Sequence, residues 1–321
     1  KKIRDKWLER LWQAMADDGV DYLSPVGDRW GELCDSVDVA GKWADDLVSS
    51  LQLCWTDPNP GNYFHGATAC LSCLLVAGRH RELLDLLELD QHPMWHYRRY
   101  GVEALLALGK KAEAVKFAEA SRGLNQSDSV IDQACEEILM SSGLHEEAYQ
   151  RYGLSAAEGN SYLARFRCVA KRYPMKDQVE ILADLIATTP GQEGKWFATA
   201  KDIELYDLAL ELVGMSPCEP KTLVRAARDY VDKEPKFALG SAMAALHWLC
   251  EGWGYEVTSV DVLEAYDRAM DVAAKLGSID EVTDQVQQLL ESTESSAPLF
   301  VRQSLTARMR SHHSLVKKVL V

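Results

Sequence analysis

Apolar residues recur at helical spacing along most of the chain. Repetition every three or four positions is typical of one face of an amphipathic α-helix. Three consecutive stripes have this spacing: Leu83, Leu84, Leu86 and Leu87; Ala114, Val115, Phe117 and Ala118; Ala148, Tyr149 and Tyr152. The pattern predicts an all-α fold.

A glycine turn precedes each of these stripes. Gly78, Gly109 and Gly143 each separate two apolar helical runs, and they lie 31 and then 34 residues apart. Glycine accepts the positive φ that ends a helix, and the glutamate four positions later suits the positive end of the next helix. Each repeat is therefore predicted to be a helical hairpin. Two short helices cannot cover their own apolar stripe, so we expect consecutive hairpins to stack.

Weaker hairpins are expected after the three clear ones. Their helix pairs are predicted at 166–172 with 179–185, 196–201 with 208–212, 223–231 with 238–249, and 260–276 with 282–290. The chain before the repeats contains two amphipathic helices, at 3–16 and 39–54, followed by a helix-breaking run at 56–61. These features predict an N-terminal helical cap at 1–58, helical repeats at 59–291, and a linker with a basic C-terminal helix at 292–321.

The turn sequences resemble those of tetratricopeptide repeats. The match is carried by the segment from Gly109 to Ala114, Gly-Lys-Lys-Ala-Glu-Ala, and by the segment from Gly143 to Ala148. The resemblance covers 63–290 and implies a right-handed α-solenoid of stacked hairpins whose concave face binds a protein or peptide. Two departures are Val102, where the family has a small residue in the first helix, and the scarcity of the closing proline.

Three further stretches resemble a second family. Residues 55–65, 97–101 and 194–202 are similar to an uncharacterised family of bacterial cytosolic helical proteins. This resemblance implies a bacterial protein located in the cytoplasm, and no activity comes with it. The first residue is a lysine rather than a methionine, which leaves room for residues upstream.

Composition and charge narrow the classes of partner. Hydrophobic residues make up 47% of the 321 residues and charged residues 26%, which is ordinary for a globular chain. The net charge of −14 opposes non-specific attraction to nucleic acid or to anionic membranes. No apolar run reaches the length that spans a bilayer, and the start lacks a signal-peptide core. We therefore expect a protein in the cytoplasm with no membrane contact; the sequence leaves the oligomeric state open.

Metal binding and catalysis are not expected. Eight scattered cysteines suit reduced thiols in a cytoplasm. Cys70 and Cys73 share a helix face and His65 lies one turn upstream, but zinc normally takes four ligands, and no second cluster is present. Small residues packing a helix seam are the simpler interpretation. Because motifs for hydrolases, zinc proteases and dinucleotide enzymes are missing, we predict no enzyme, no metal and no cofactor.

A cluster of aromatic and basic side chains is the main candidate for partner binding. Such groups are typical of interaction hot spots. The segment reads Trp95, His96, Tyr97, Arg98, Arg99 and Tyr100. In the tetratricopeptide register the concave face takes His65, Thr68, His96, Arg99, Glu103, Gln133 and Glu137. A bidentate pair with Arg99 would suit an acidic peptide or a C-terminal carboxylate. Alternatively, Trp95 and Tyr97 pack between hairpins and the arginines pair with neighbouring acids.

Two further segments are weaker candidates for binding a ligand or partner. Lys195, Trp196 and Lys201 flank a helix start after glycines, which superficially suggests phosphate capture, but the glycine spacing is not that of a P-loop, and helix entry with packing aromatics is the favoured interpretation. The final helix contains seven basic residues, which suggests either nucleic-acid contact or a solvated terminus. They are Arg302, Arg308, Arg310, His312, His313, Lys317 and Lys318. A protein-binding scaffold is the first hypothesis, nucleic-acid binding through this helix the second, and metal-dependent hydrolysis near His65, Cys70 and Cys73 the third.

Overall fold

The chain is all-helical, as predicted. The computed structural model describes residues 2–20, 22–57, 64–91, 93–123, 127–293 and 297–319, with side chains described from 3 to 311. Within these ranges there is no β-strand. None of the helices they contain is long and apolar enough to cross a bilayer. Outside the described residues lie Tyr63, residues 58–61 of the predicted break at 56–61, and the side chains of His312, His313, Lys317 and Lys318.

The chain divides into two compact units, Lys1–Ala157 and Glu158–Val321. The boundary lies within the stretch predicted as repeats, at 59–291. Helices of the first unit are α1 (Lys2–Ala16), α2 (Ser24–Gly27), α3 (Trp30–Cys34), α4 (Val37–Thr56), α5 (Ala67–Val76), α6 (His80–Leu87), α7 (Trp95–Ala107), α8 (Lys111–Glu119), α9 (Asp128–Met140) and α10 (His145–Ala148), the last continued by a π-helical turn (Tyr149–Gly153). Helices of the second unit are α11 (Tyr162–Arg172), α12 (Gln178–Ala187), α13 (Phe197–Asp202, preceded by a 3₁₀ turn at Glu193–Trp196), α14 (Tyr206–Met215), α15 (Pro220–Tyr230), α16 (Pro235–Cys250), α17 (Ser259–Leu276), α18 (Ile279–Ser292) and α19 (Leu299–Val319).

The three predicted glycine turns share one geometry. Gly78, Gly109 and Gly143 have φ of 73°, 74° and 76°, which confirms the left-handed conformation expected from the sequence. In each turn the N–H after the glycine donates to a carbonyl five residues earlier, closing the helix with a Schellman motif. These bonds are Arg79 N to Leu74 O at 2.9 Å, Lys110 N to Leu105 O at 2.9 Å and Leu144 N to Leu139 O at 3.0 Å.

Helices of the first unit pack mainly on their neighbours in sequence. The hairpins α5–α6, α7–α8 and α9–α10 follow one another, with contacts from α5 and α6 to α7 and from α8 to α9. Gly101 allows close approach within α7, since a Cβ there would lie 2.6 Å from the Phe117 ring. The family pattern predicts the small residue of this hairpin at the position of Val102. The structure has it one position earlier, at Gly101.

The N-terminal helices share a core with the first two hairpins. Trp30 is fully buried, and its ring centroid lies 5.5 Å from that of Trp12 and 5.2 Å from that of Trp43. Helices α3 and α4 both pack on α5. The segment predicted as a cap is thus joined to α5–α7 by one continuous hydrophobic cluster.

The second unit is built around α16, which contacts α14, α15, α17 and α18. Pro235 occupies the first turn of α16, where a missing N–H has no cost, and Thr258 with Asp261 forms a capping box at α17. The described part of α19 packs on α16 and α17 through buried Val301 and Leu305. This half of the predicted C-terminal helix therefore belongs to the packed unit.

Candidate functional site

A groove lies between α7 and α9, the first helices of two consecutive hairpins. Its volume is about 460 Å³. From α7 it is lined by Trp95, Arg99, Val102, Glu103 and Leu106; from α9 by Val130, Gln133, Ala134, Glu137, Ile138 and Ser141. We call this the α7/α9 groove. It brings together five of the residues predicted to bind a partner: Trp95, Arg99, Glu103, Gln133 and Glu137.

Helical periodicity explains why these residues share the groove. The lining positions on each helix recur at three or four residues, so they lie on one face. Ser127 caps α9 by accepting from the N–H of Ser129 at 3.3 Å, and the glycine turns at Gly109 and Gly143 end the two hairpins' first helices. Local signals therefore set where each wall begins and ends.

The floor of the groove is apolar. Val102 and Ile138 are buried in the cluster that joins α7 to α10, and Trp95 and Leu106 pack against the same cluster while partly exposed. An exposed apolar floor between polar rims is typical of sites that bind protein segments. The groove can therefore contribute hydrophobic contact area to a partner.

Arg99 at one end of the groove is already paired. Its Nη2 lies 2.8 Å from Asp28 Oδ2, just before α3, and 3.2 Å from the Tyr100 hydroxyl. The Tyr100 hydroxyl in turn donates to the Asp28 carbonyl at 3.0 Å. A carboxylate from a partner would have to compete with Asp28 for this guanidinium.

The remaining charged side chains in the groove are acidic. Glu103 lies on α7 and Glu137 on α9, so each wall has one carboxylate. The Glu103 side chain is exposed, but partial loss of hydration beside the groove wall raises its pKa above the ordinary value; the nearby charge of Glu32 adds to that rise while Arg99 opposes it. Gln133 donates from Nε2 to the Ala156 carbonyl at 3.1 Å, which holds its side chain against the wall.

These charges argue against the acidic ligand expected from the sequence. Two glutamates line the groove against one arginine, and that arginine is neutralised by Asp28. The sequence also allowed the arginines to pair with neighbouring acids, and Arg99 does so in the structure, with Asp28.

Removing the charge of Glu103 is expected to stabilise the protein near neutral pH. A raised carboxyl pKa means that the folded state binds this proton more tightly than the unfolded state does, so the stability present at low pH is lost as pH rises through the folded pKa. We expect Glu103→Gln to raise the melting temperature near neutral pH and to lose part of that advantage near pH ~4, where more of the wild-type carboxyl is protonated. Solvent screening limits the gain to about 1 kcal/mol or less.

Thermal unfolding monitored by circular dichroism at both pH values measures this effect. Asp85→Asn removes the same charge from the exposed side of α6, outside the groove, and controls for the change in net charge. An advantage of Glu103→Gln that is equal at both pH values would contradict a raised pKa of this carboxyl.

The other residues of the aromatic and basic cluster do not line the groove. Tyr97 is only 5% exposed and packs on Trp55 with ring centroids 5.5 Å apart, so a partner cannot reach it. Arg98 donates from Nε to Ser121 Oγ at 2.7 Å and stacks over Phe117, 4.0 Å from the ring centroid. His96 is exposed beside Tyr97, with ring centroids 3.9 Å apart.

His65 and Thr68 lie near the start of α5, away from the groove. His65 is exposed in the preceding turn, and Thr68 is partly buried against the turn at Gly27. Cys70 and Cys73 are fully buried, and burial raises the pKa of Cys70 to about 12. In the described parts of the chain, no group of three or more His, Cys, Asp or Glu side chains is arranged to hold a metal ion.

The secondary candidates lie in the second unit, where Trp196 is part of the core. Trp196 has 0% exposure and donates from Nε1 to Thr189 Oγ1 at 2.8 Å. Lys195 donates to Gln192 Oε1 at 2.8 Å, and the Lys201 ammonium lies 5.4 Å from the Tyr230 ring centroid. This arrangement matches helix entry with packing aromatics and does not fit the prediction that Trp196 contacts a partner.

The basic helix α19 has part of its charge neutralised. Arg308 forms a bidentate pair with Asp267 on α17, at 2.8 Å and 2.7 Å. Arg302 and Arg310 line a cleft of about 360 Å³ together with Glu291. A smaller cleft of about 210 Å³ between α15 and α17 mixes Lys221, Arg225 and Arg228 with Asp261 and Glu264. Both clefts are polar and mixed in charge.

Several lining residues were missed by the sequence analysis. They are Val102, Leu106, Val130, Ala134, Ile138 and Ser141. Their spacing from the predicted residues, three or four positions along the same helices, was the available signal. The apolar positions among them were interpreted as core, because helical periodicity does not distinguish an apolar face that is buried from one that is exposed.

Comparison with known proteins adds no relative. No protein-family model matches the chain, and searches of curated proteins and of solved structures find no match to it.

Proposed function

We propose that this chain is a non-catalytic, protein-binding scaffold in which consecutive hairpins stack as in a right-handed, tetratricopeptide-like α-solenoid. The α7/α9 groove then binds a segment of a partner protein. The observation that carries the proposal is the open apolar groove between the first helices of two consecutive hairpins, lined by four residues that the repeat register had selected and by Trp95 of the aromatic and basic cluster. Contacts of α5 with α7, and of α15 with α17, support the stacking of successive first helices.

A cytoplasmic location is part of the same proposal. All eight cysteines are free thiols, six of them buried, as suits a reducing compartment. Among the described residues, no arrangement favours nucleic-acid binding by α19 or metal-dependent hydrolysis near His65. The scaffold hypothesis therefore stands first, ahead of both.

Filling the groove is expected to weaken binding. Ala134 lies on the α9 wall, so Ala134→Arg would place a long side chain across the apolar floor. Peptides selected on the full chain from a phage-displayed random library should lose affinity for this variant by about tenfold or more, as expected when a desolvated contact is removed. Fluorescence anisotropy with the synthesised peptides gives the dissociation constants.

Ala112→Arg is the matched control, because Ala112 is exposed on α8 and does not line the groove. It should leave the same dissociation constants unchanged. If every selected peptide binds Ala134→Arg as tightly as the wild type, the groove is not the binding site.

A further inference from the structure

Two buried cysteines face each other where α3 packs on α5. Cys34 is the last residue of α3, Cys73 lies in α5, and both side chains have 0% exposure. A hydrogen bond joins the two thiols, with Cys73 donating to Cys34. Neither residue lines the α7/α9 groove, so this pair is a separate feature of the first unit.

A glycine brings the backbones of the two helices close together at this point. A Cβ on Gly31 would lie 2.3 Å from the Ser72 carbonyl oxygen and 2.8 Å from Val76 Cγ2. Cys34 lies one turn after Gly31 on the same face of α3, and Cys73 lies within the facing turn of α5. Packed helices are usually about 8–10 Å apart, whereas a disulfide needs Cα atoms within about 7 Å. The glycine contact therefore favours a bond between these two helices.

The same contact makes Cys34 the better nucleophile of the pair. The hydrogen bond from Cys73 lowers the pKa of the Cys34 thiol; burial opposes this change, and the positive charge of Arg4 adds to it. That hydrogen bond and burial both raise the pKa of Cys73. Because the thiolate is the form that attacks an oxidant, Cys34 is expected to react first.

Local opening of α3 gives a small oxidant access to Cys34. The helix has five residues, and a helix this short has little stability of its own. It ends at Asp35, whose φ of 52° is rare for a residue other than glycine. Segments of low local stability open without global unfolding. A buried thiol at this helix end is therefore reached more easily than one inside a long helix.

We infer that Cys34 and Cys73 form an oxidation site, in which hydrogen peroxide converts the two thiols into a reversible disulfide. The Cys34 thiolate attacks one peroxide oxygen, the O–O bond breaks, hydroxide leaves and takes up a proton, and Cys34 becomes a sulfenic acid. The Cys73 sulfur then attacks the Cys34 sulfur, so the S–S bond forms and the hydroxyl group leaves as water. The thiols lose two electrons and two protons, and one peroxide becomes two waters. Transient disulfides of this kind are those found in reducing compartments, where excess thiol reverses them.

Peroxide treatment of the full chain tests the site. The chain has eight cysteines, and iodoacetamide added under denaturing conditions counts the thiols that remain. We expect two thiols to be lost together, with tryptic peptides 30–42 and 43–79 joined in mass spectrometry until dithiothreitol is added. The pair should be consumed about tenfold or more faster than two other buried thiols. These are Cys218 and Cys250, whose pKa burial raises to about 12 and about 11.

Variants identify the linked residues, because peptide 43–79 contains three cysteines. Cys34→Ala and Cys73→Ala should each abolish the link between the two peptides. Cys70→Ala is the matched control, since Cys70 is equally buried one turn earlier on α5, and it should keep the link. Circular dichroism checks that each variant keeps the helical content of the wild type.

Two results would overturn the oxidation site. One is that peptides 30–42 and 43–79 stay separate in the peroxide-treated wild type. The other is that they join as readily in Cys73→Ala as in the wild type. The wild-type peptide map needs no variant, so it decides the first point even if a substitution prevents folding. Neither result affects the α7/α9 groove as a binding site.

Discussion

Replacing Gly31 with alanine is expected to destabilise the protein by about 3 kcal/mol, near the upper end of what overpacking a close contact costs. Gly31 lies in α3, and a Cβ there would be 2.3 Å from the carbonyl oxygen of Ser72 in α5. The backbone of α5 cannot move aside as a flexible side chain could. The variant would also disturb the buried bond from Gly31 N to Ser72 Oγ, at 3.0 Å.

A second glycine separates this effect from helix propensity. Gly41 lies inside α4, and a Cβ there meets no atom within 4 Å. Alanine is the better helix former, so Gly41→Ala should stabilise the protein by about 0.5–1 kcal/mol. Urea unfolding followed by circular dichroism compares the two variants. Equal stability of Gly31→Ala and the wild type would show that α3 and α5 do not approach this closely.

Replacing Trp196 with alanine is expected to cost about 3–5 kcal/mol, as for other large aromatic side chains removed from a core. Trp196 is fully buried at the start of α13, its ring centroid lies 4.7 Å from that of Tyr162, and its Nε1 donates to Thr189. Truncation leaves a cavity and an unpaired hydroxyl. The same urea titration measures the loss.

Trp253 provides the comparison within the second unit. It is 54% exposed in the connection between α16 and α17, so Trp253→Ala should cost less than about 1 kcal/mol. A small loss of stability in Trp196→Ala would instead support the prediction that this side chain contacts a ligand. A large one assigns it to packing.

Local signals explain which parts of the fold could be predicted. The turns at Gly78, Gly109 and Gly143 were readable because a positive φ favours glycine wherever it occurs. Glu204 ends α13 with φ of 62° and has no such signature, yet the Leu205 N–H closes the same type of motif on the Ala200 carbonyl at 2.9 Å. Because non-glycine residues rarely adopt a positive φ, this turn could not be recognised from the sequence.

Long-range contacts explain what was missed. The requirement for glycine at position 31 comes from Ser72, and the pairing of Arg99 comes from Asp28. No local pattern connects residues so far apart in the chain. Arg99 therefore looked available to an acidic ligand, although its charge is already compensated.

The amino-acid sequence by itself determined the helices of the three clear hairpins, the glycine turns where they reverse, and the faces that line the groove on α7 and α9. These follow from backbone conformation and from helical periodicity, which act within a few residues. Only the tertiary structure decided that the stripe between α7 and α9 stays open, that Tyr97 and Trp196 are buried, and that the groove is acidic. Burial and net charge depend on which distant side chains come together, and periodicity contains no information about that.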